Sequence, residues 1–177
     1  WQIANGESQR YTVANGLATS RLRSVVNCPL EGLGLVFGSD AGLELYDTAS
    51  GEWANVQPSA NGLPFASIGA LACSEEAGLL AVASATAGIA LFDAASRTWT
   101  EVDAADGDLL VSVRALALDH SGVLWAASGA SIVQIIDGEI VEHFDADNSP
   151  LTGETVTDVA LHGDGSLWAT AGDRLFH

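Results

Sequence analysis

The sequence predicts an all-β fold, a β-propeller of four four-stranded blades of roughly 45 residues each. Three observations predict it: an internal repeat of that period, four short apolar runs inside each repeat, and Gly, Asp, Asn or Ser between the runs. Runs of three to seven residues, several alternating, are strands joined by hairpins, because they are too short and too punctuated to carry helical periodicity.

The first run of each unit sets the repeat. Val113-Arg-Ala-Leu-Ala-Leu118 leads through Gly122 to Leu124-Trp125, and Val156-Thr-Asp-Val-Ala-Leu161 leads through Gly165 to Leu167-Trp168. Weaker copies begin at Ile68 and Leu22, so the starts at 22, 68, 113 and 156 are 46, 45 and 43 residues apart. The third run repeats as Gly42-Leu-Glu-Leu-Tyr46-Asp47, Gly88-Ile-Ala-Leu-Phe92-Asp93 and, more loosely, Ile132-Val-Gln-Ile-Ile136-Asp137. An outer run follows at Trp53-x-x-Val56, Trp99-x-x-Val102 and Val141-x-x-Phe144, and each unit closes in a polar turn at Asn15, Asn61, Asp106 or Asn148. Gly122, Gly138 and Gly165 fall where hairpin turns need a positive φ. Trp125 and Trp168 fall on the second strand, where a large ring fills the wedge between neighbouring blades.

From Val156 through the end of the chain and on from Trp1 to Leu22 is again 43 residues. Leu175-Phe-His177 and Trp1-Gln-Ile3 thus scan as one alternating strand, with Ala4-Asn-Gly-Glu7 as the next turn. The 177 residues form a single propeller domain or segment: a closed four-bladed ring, part of a larger propeller, or half of a two-chain ring. Residues 1–21 complete the last blade or belong to a preceding one. Bare terminal edges would invite pairing with another chain.

Composition narrows the partners. Six arginines and no lysine face 23 acidic residues, for a net charge of −17. Such a surface repels nucleic acid and anionic lipid, and no apolar run is long enough to span a bilayer. With no methionine, residue 1 is not an initiator, and something is expected to precede it.

Chemistry is sparse. The histidines at 120, 143, 162 and 177 are dispersed, and Asp119-His120-Ser121 holds the letters of a triad without its geometry, since neighbours in a turn cannot form the relay. Asp145-x-Asp147-Asn148 lacks the glycine and glutamate of a calcium loop and reads as a turn. No His/Cys cluster has zinc spacing, so no metal, cofactor or catalytic residue is expected. Cys28 and Cys73 lie one repeat apart and could approach on neighbouring inner strands; two buried thiols are the favoured expectation over a disulfide.

One constellation stands apart. The residues after the repeat starts are Arg23, Gly69, Arg114 and Thr157, with Arg21 and Asp158 beside them. Innermost strands line the channel, so Arg23 and Arg114 would face each other in a closed four-fold ring. Paired guanidinium groups there suit a carboxylate or phosphate, the alternative being that each pairs with surrounding acids.

The pattern in residues 113–128, in 38–47 and in Tyr11-Thr-Val-Ala-Asn-Gly-Leu17 resembles the two-component regulator propeller repeat. The resemblance covers nearly the whole chain and implies an extracytoplasmic (periplasmic, cell-surface or secreted) sensory module of a bacterial signalling protein. Such regions usually hold more than four repeats, and the first two units here are degenerate. The function expected is therefore non-catalytic recognition of an unidentified small-molecule or protein ligand, anionic if the arginines contact it. The alternatives are a structural block that assembles into homo-oligomeric rings or joins further blades of a longer protein, and an enzyme like the propeller lyases or lactonases.

Overall fold

The computed structural model describes residues 2–4, 7–58, 62–103 and 109–177, and among them every regular element is a strand except one 3-10 turn, Val13–Asn15. Trp1 and the turns expected at Asn5-Gly6, Asn61 and Asp106 lie outside the described residues.

A hairpin of β1 (Gln2–Ala4) and β2 (Glu7–Gln9) comes first. The first blade then orders β3 (Leu22–Cys28), β4 (Gly34–Ser39), β5 (Gly42–Tyr46) and β6 (Trp53–Val56) as successive antiparallel neighbours. The second repeats this with β7 (Ala70–Ser74), β8 (Leu79–Ser84), β9 (Gly88–Asp93) and β10 (Thr98–Glu101). The third contains β11 (Val113–Leu118), β12 (Leu124–Ser128), β13 (Ser131–Ile136) and β14 (Glu139–Phe144). The fourth holds β15 (Val156–Leu161), β16 (Leu167–Ala171) and β17 (Arg174–Phe176). The arrangement is an all-β, four-bladed propeller. Its first strands pack in series, β3 on β7, β7 on β11 and β11 on β15, and no comparable packing joins β15 to β3 among the described residues.

Three expectations need correction. The fourth blade has three strands rather than four among the described residues. Leu175-Phe176 and Gln2-Ile3 stand in two separate sheets among the described residues, β17 at the edge of β15-β16-β17 and β1 with β2 alone. The third run of the third unit is also displaced by one residue. Ser39, Ser84 and Ser128 pair with Gly42, Gly88 and Ser131, so Ser131 rather than Ile132 occupies the place of Gly42.

The core lies between the blades. One cluster joins the first and second through Val36, Leu43, Leu63, Ile68, Leu80 and Val82, all essentially inaccessible. A second joins blades two and three around Ile89, Leu124 and Ile135, and a third joins blades three and four around Ile132, Val156 and Ala171. The leucines that end the interblade turns, Leu17, Leu63 and Leu151, are buried in each case. After the third of these turns, the one expected at Asp106, the buried leucine is Leu110. Asn15 and Asn148 shape two of these turns identically, accepting from the N–H three residues back and donating to a carbonyl five residues back.

Cys28 and Cys73 are bonded, which overturns the expectation of two thiols. They sit on the neighbouring first strands β3 and β7 with Cα atoms 5.4 Å apart, within bridging range. The repeat register that makes these positions adjacent also supplies the geometry. The tryptophans divide. Trp125 is half-buried beside Phe144 of β14, with ring centroids 6.0 Å apart. Trp168 occupies the matching position yet is 38% exposed, stacked at 4.5 Å on His177, because its three-stranded sheet has no equivalent of β14 to cover it.

Turn carboxylates make the fold sensitive to acid. Asp47 accepts from the N–H of Ala49, Asp93 from that of Ser96, and Asp164 from the hydroxyl and N–H of Ser166. Each carboxyl is held below its usual range, Asp164 down to about 2. A carboxyl with a lowered folded pKa contributes stability above its unfolded pKa and loses it as pH falls through the folded value. The denaturation midpoint is therefore expected to fall between about pH 4 and about pH 2. Asp164→Asn should flatten that fall, as a denaturant series at several pH values would measure.

Candidate functional site

The sequence-predicted site residues fall on a repeated irregularity. In β3 the register runs Leu22↔Ser39 and then Ser24↔Gly38, skipping Arg23. In β11 it runs Val113↔Ser128 and then Ala115↔Ala127, skipping Arg114. In β15 it runs Val156↔Ala171 and then Asp158↔Thr170, skipping Thr157. Each skipped residue is the extra one of a bulge, a device that breaks strand alternation and re-aims a side chain. Arg23, Arg114 and Thr157 are thus equivalent in structure as in sequence, and all three are exposed. The second unit has Gly69 here, its N–H tied to the Ala83 carbonyl at 2.8 Å.

The bulges lie at one end of the blades. First and third strands start there, and the turns between second and third strands close there. Asp40, in the turn between β4 and β5, meets two guanidinium groups: Arg23 Nε at 2.6 Å from Oδ1 and Arg21 Nη1 at 3.5 Å from Oδ2. The hydrogen bond from Arg23 is the main reason that the Asp40 carboxyl is held below its usual range. One carboxylate between two guanidinium groups leaves a net positive charge. Arg114 has no ion pair among the described residues.

The other two candidates are committed locally. Thr157 Oγ1 lies 2.9 Å from Thr170 Oγ1 and donates to the Thr170 carbonyl at 3.2 Å. Asp158 accepts from the N–H of Val159 at 3.0 Å. Arg174, absent from the sequence-based candidates, begins β17 directly after the turn at Gly172-Asp173, so it stands at the same end. Its signal was visible as a basic residue at the start of a third run. Arg174 Nε lies 3.9 Å from Asp173 Oδ1, and four of the six arginines, 21, 23, 114 and 174, gather at this end together with Asp40, Asp158 and Asp173.

The opposite end carries the remaining turns and no comparable chemistry. Asp119 Oδ1 accepts from the N–H and hydroxyl of Ser121 and from the N–H of Val123, so Asp119-His120-Ser121 is a closed turn, not a relay. His162 meets Asp164 at 3.0 Å there, while His143 meets Asp145 at 3.1 Å in an interblade turn. No group of three His, Cys, Asp or Glu residues able to hold a metal occurs among the described residues.

No protein-family model matches the chain, and no curated protein matches it. Solved structures do. The extracellular domain of the hybrid two component system BT4673 from B. thetaiotaomicron is similar with a TM-score of 0.71 at 18% identity, over 90% of this chain and 23% of that one. The extracellular domain of the hybrid two component system BT3049 from the same organism gives 0.70 at 15% identity, over 92% of this chain and 24% of that one. A second BT4673 structure, described as a one component system, gives 0.69 at 15% identity and 22% of its length. The likeness is one of fold, as the repeat resemblance implied, and the chain spans about a quarter of these larger domains.

Proposed function

We propose that this chain is a non-catalytic recognition module of an extracytoplasmic bacterial protein, taking an anionic ligand at the arginine-bearing end of its blades. The observation that carries this reading is the placement of Arg23 and Arg114 in equivalent bulges, with Arg21 and Arg174 at the same end, on an otherwise acidic protein. Guanidinium groups bind carboxylates and phosphates through paired N–H donors, and Arg114 stands there with no ion pair among the described residues. The likeness to extracellular domains of two component systems supports the sensory role and the location. So does the Cys28–Cys73 bond, since such bonds persist in oxidising compartments. The partial coverage of those larger domains supports contact with further blades, to which β1–β2 contributes as the outer half of a preceding blade.

Calorimetric titration with succinate and with inorganic phosphate tests the site. Arg23→Ala/Arg114→Ala is expected to weaken binding at least tenfold while leaving the fold intact, since both side chains are exposed. Unchanged affinity in the double variant would overturn the assignment and leave the arginines as local charge partners.

A structural building block is the second reading, favoured by one observation: β17 pairs on one side only, and Leu175 on it is 64% exposed. Mass in solution separates the two, because assembly through that edge predicts stable multimers.

A further inference from the structure

Glu44, in the middle of β5, is completely buried where the equivalent strands carry Ala90 and Val133. Its Oε1 accepts the N–H of Ala18 at 3.1 Å, in the segment that carries the chain from the first interblade turn to β3. The second unit has Pro64 in the place of Ala18, one residue after the buried leucine, and a proline has no N–H to donate.

The other half of the carboxyl is the informative part. Directly opposite on β6 stands Asn55, whose Nδ2 donates to the Leu43 carbonyl at 3.1 Å. Glu44 Oε2 and Asn55 Oδ1 are both buried and both without a hydrogen-bond partner. Two buried acceptors side by side are unfavourable, and a single proton on Oε2 satisfies both. Ionised, Glu44 would draw on the second hydrogen of the Asn55 amide and would leave Asn55 Oδ1 buried and unpaired.

No charge stands in to favour the ionised form. The cross-strand neighbour on β4 is Phe37 and that on β6 is Asn55; the linker contributes the N–H groups of Ala18 and Thr19. The titratable groups on the same face are Tyr46, two residues along β5, and Tyr11, whose hydroxyls lie 3.0 Å apart. No ion pair reaches Glu44 among the described residues. Burial raises its carboxyl above the usual range, and the N–H groups of Ala18 and Thr19 and the Asn55 side chain only partly oppose this.

We propose that Glu44 is held as the neutral acid, its Oε2–H donating to Asn55 Oδ1, and that it is a pH-sensitive latch on residues 17–20. These residues lead directly into Arg21 and Arg23, so the latch sets how the first pair of guanidinium groups is presented. That consequence rests on the anion-binding reading above, whereas the latch itself is tested without any ligand. The sign follows from the chemistry: a carboxyl with a raised folded pKa holds the linker best at low pH and loses it as pH rises through that value.

The test is a carboxyl carbon NMR titration of the full chain, together with amide hydrogen exchange at Ala18, normalised for the intrinsic pH dependence of exchange. Glu44 is expected to titrate above every other glutamate, with Ala18 protection falling tenfold or more across the same transition. Glu44→Gln keeps an acceptor for Ala18 and places an N–H donor opposite Asn55, so its protection should stay high and independent of pH. A Glu44 resonance that ionises together with the other glutamates, or wild-type protection that is flat across the titration, would overturn the latch. If Glu44→Gln failed to fold, the wild-type titration and exchange would still decide.

Discussion

Removing the Cys28–Cys73 bond is expected to lower stability by about 4 kcal/mol. The bond closes a loop of 45 residues, a full repeat, so its loss releases considerable freedom in the unfolded chain. Cys28→Ala/Cys73→Ala is the cleaner variant, because a serine at the fully buried position 28 would add an unpaired hydroxyl. Chemical denaturation with and without reductant measures the difference. An unchanged midpoint in both experiments would show that the packing of β3 on β7 holds the first two blades together without the bond.

Ile68→Ala is expected to cost between about 2 and 5 kcal/mol. Ile68 is completely inaccessible and sits at the seam of the first two blades, its N–H donating to the Ser39 carbonyl at 2.9 Å. A Cβ on Gly38 would lie 2.8 Å from the Ile68 carbonyl oxygen and 2.9 Å from Cγ2, so the glycine is required for this close approach. Truncating the isoleucine leaves a cavity beside a residue with no side chain to fill it. A thermal or denaturant midpoint displaced by less than about 1 kcal/mol would mean that the seam collapses around the smaller residue.

The repeat was legible because a blade is a local object. Alternating runs and hairpin glycines such as Gly122 and Gly165 are set within about 45 residues, and the structure places them as read. The equivalence of Arg23 and Arg114 was legible for the same reason, although the bulges that expose them were not. What escaped depends on partners far along the chain. The Cys28–Cys73 bond needs two blades in register, and the exposure of Trp168 depends on a strand its sheet does not have. Glu44 scanned as an alternate residue of an apolar run, indistinguishable from a solvent-facing carboxylate until the linker above it was in place. Arg174 was passed over because β17 was taken for half of a strand shared with residue 1.

The central claim is that the arginine-bearing end is the recognition surface, and a chemical-shift map with succinate tests it most directly. The shifts are expected to concentrate on the guanidinium and amide signals of Arg23 and Arg114, with smaller changes at Arg21, Asp40 and Arg174. Shifts confined to the opposite end, around His120, His162 and the turns that hold them, would contradict it.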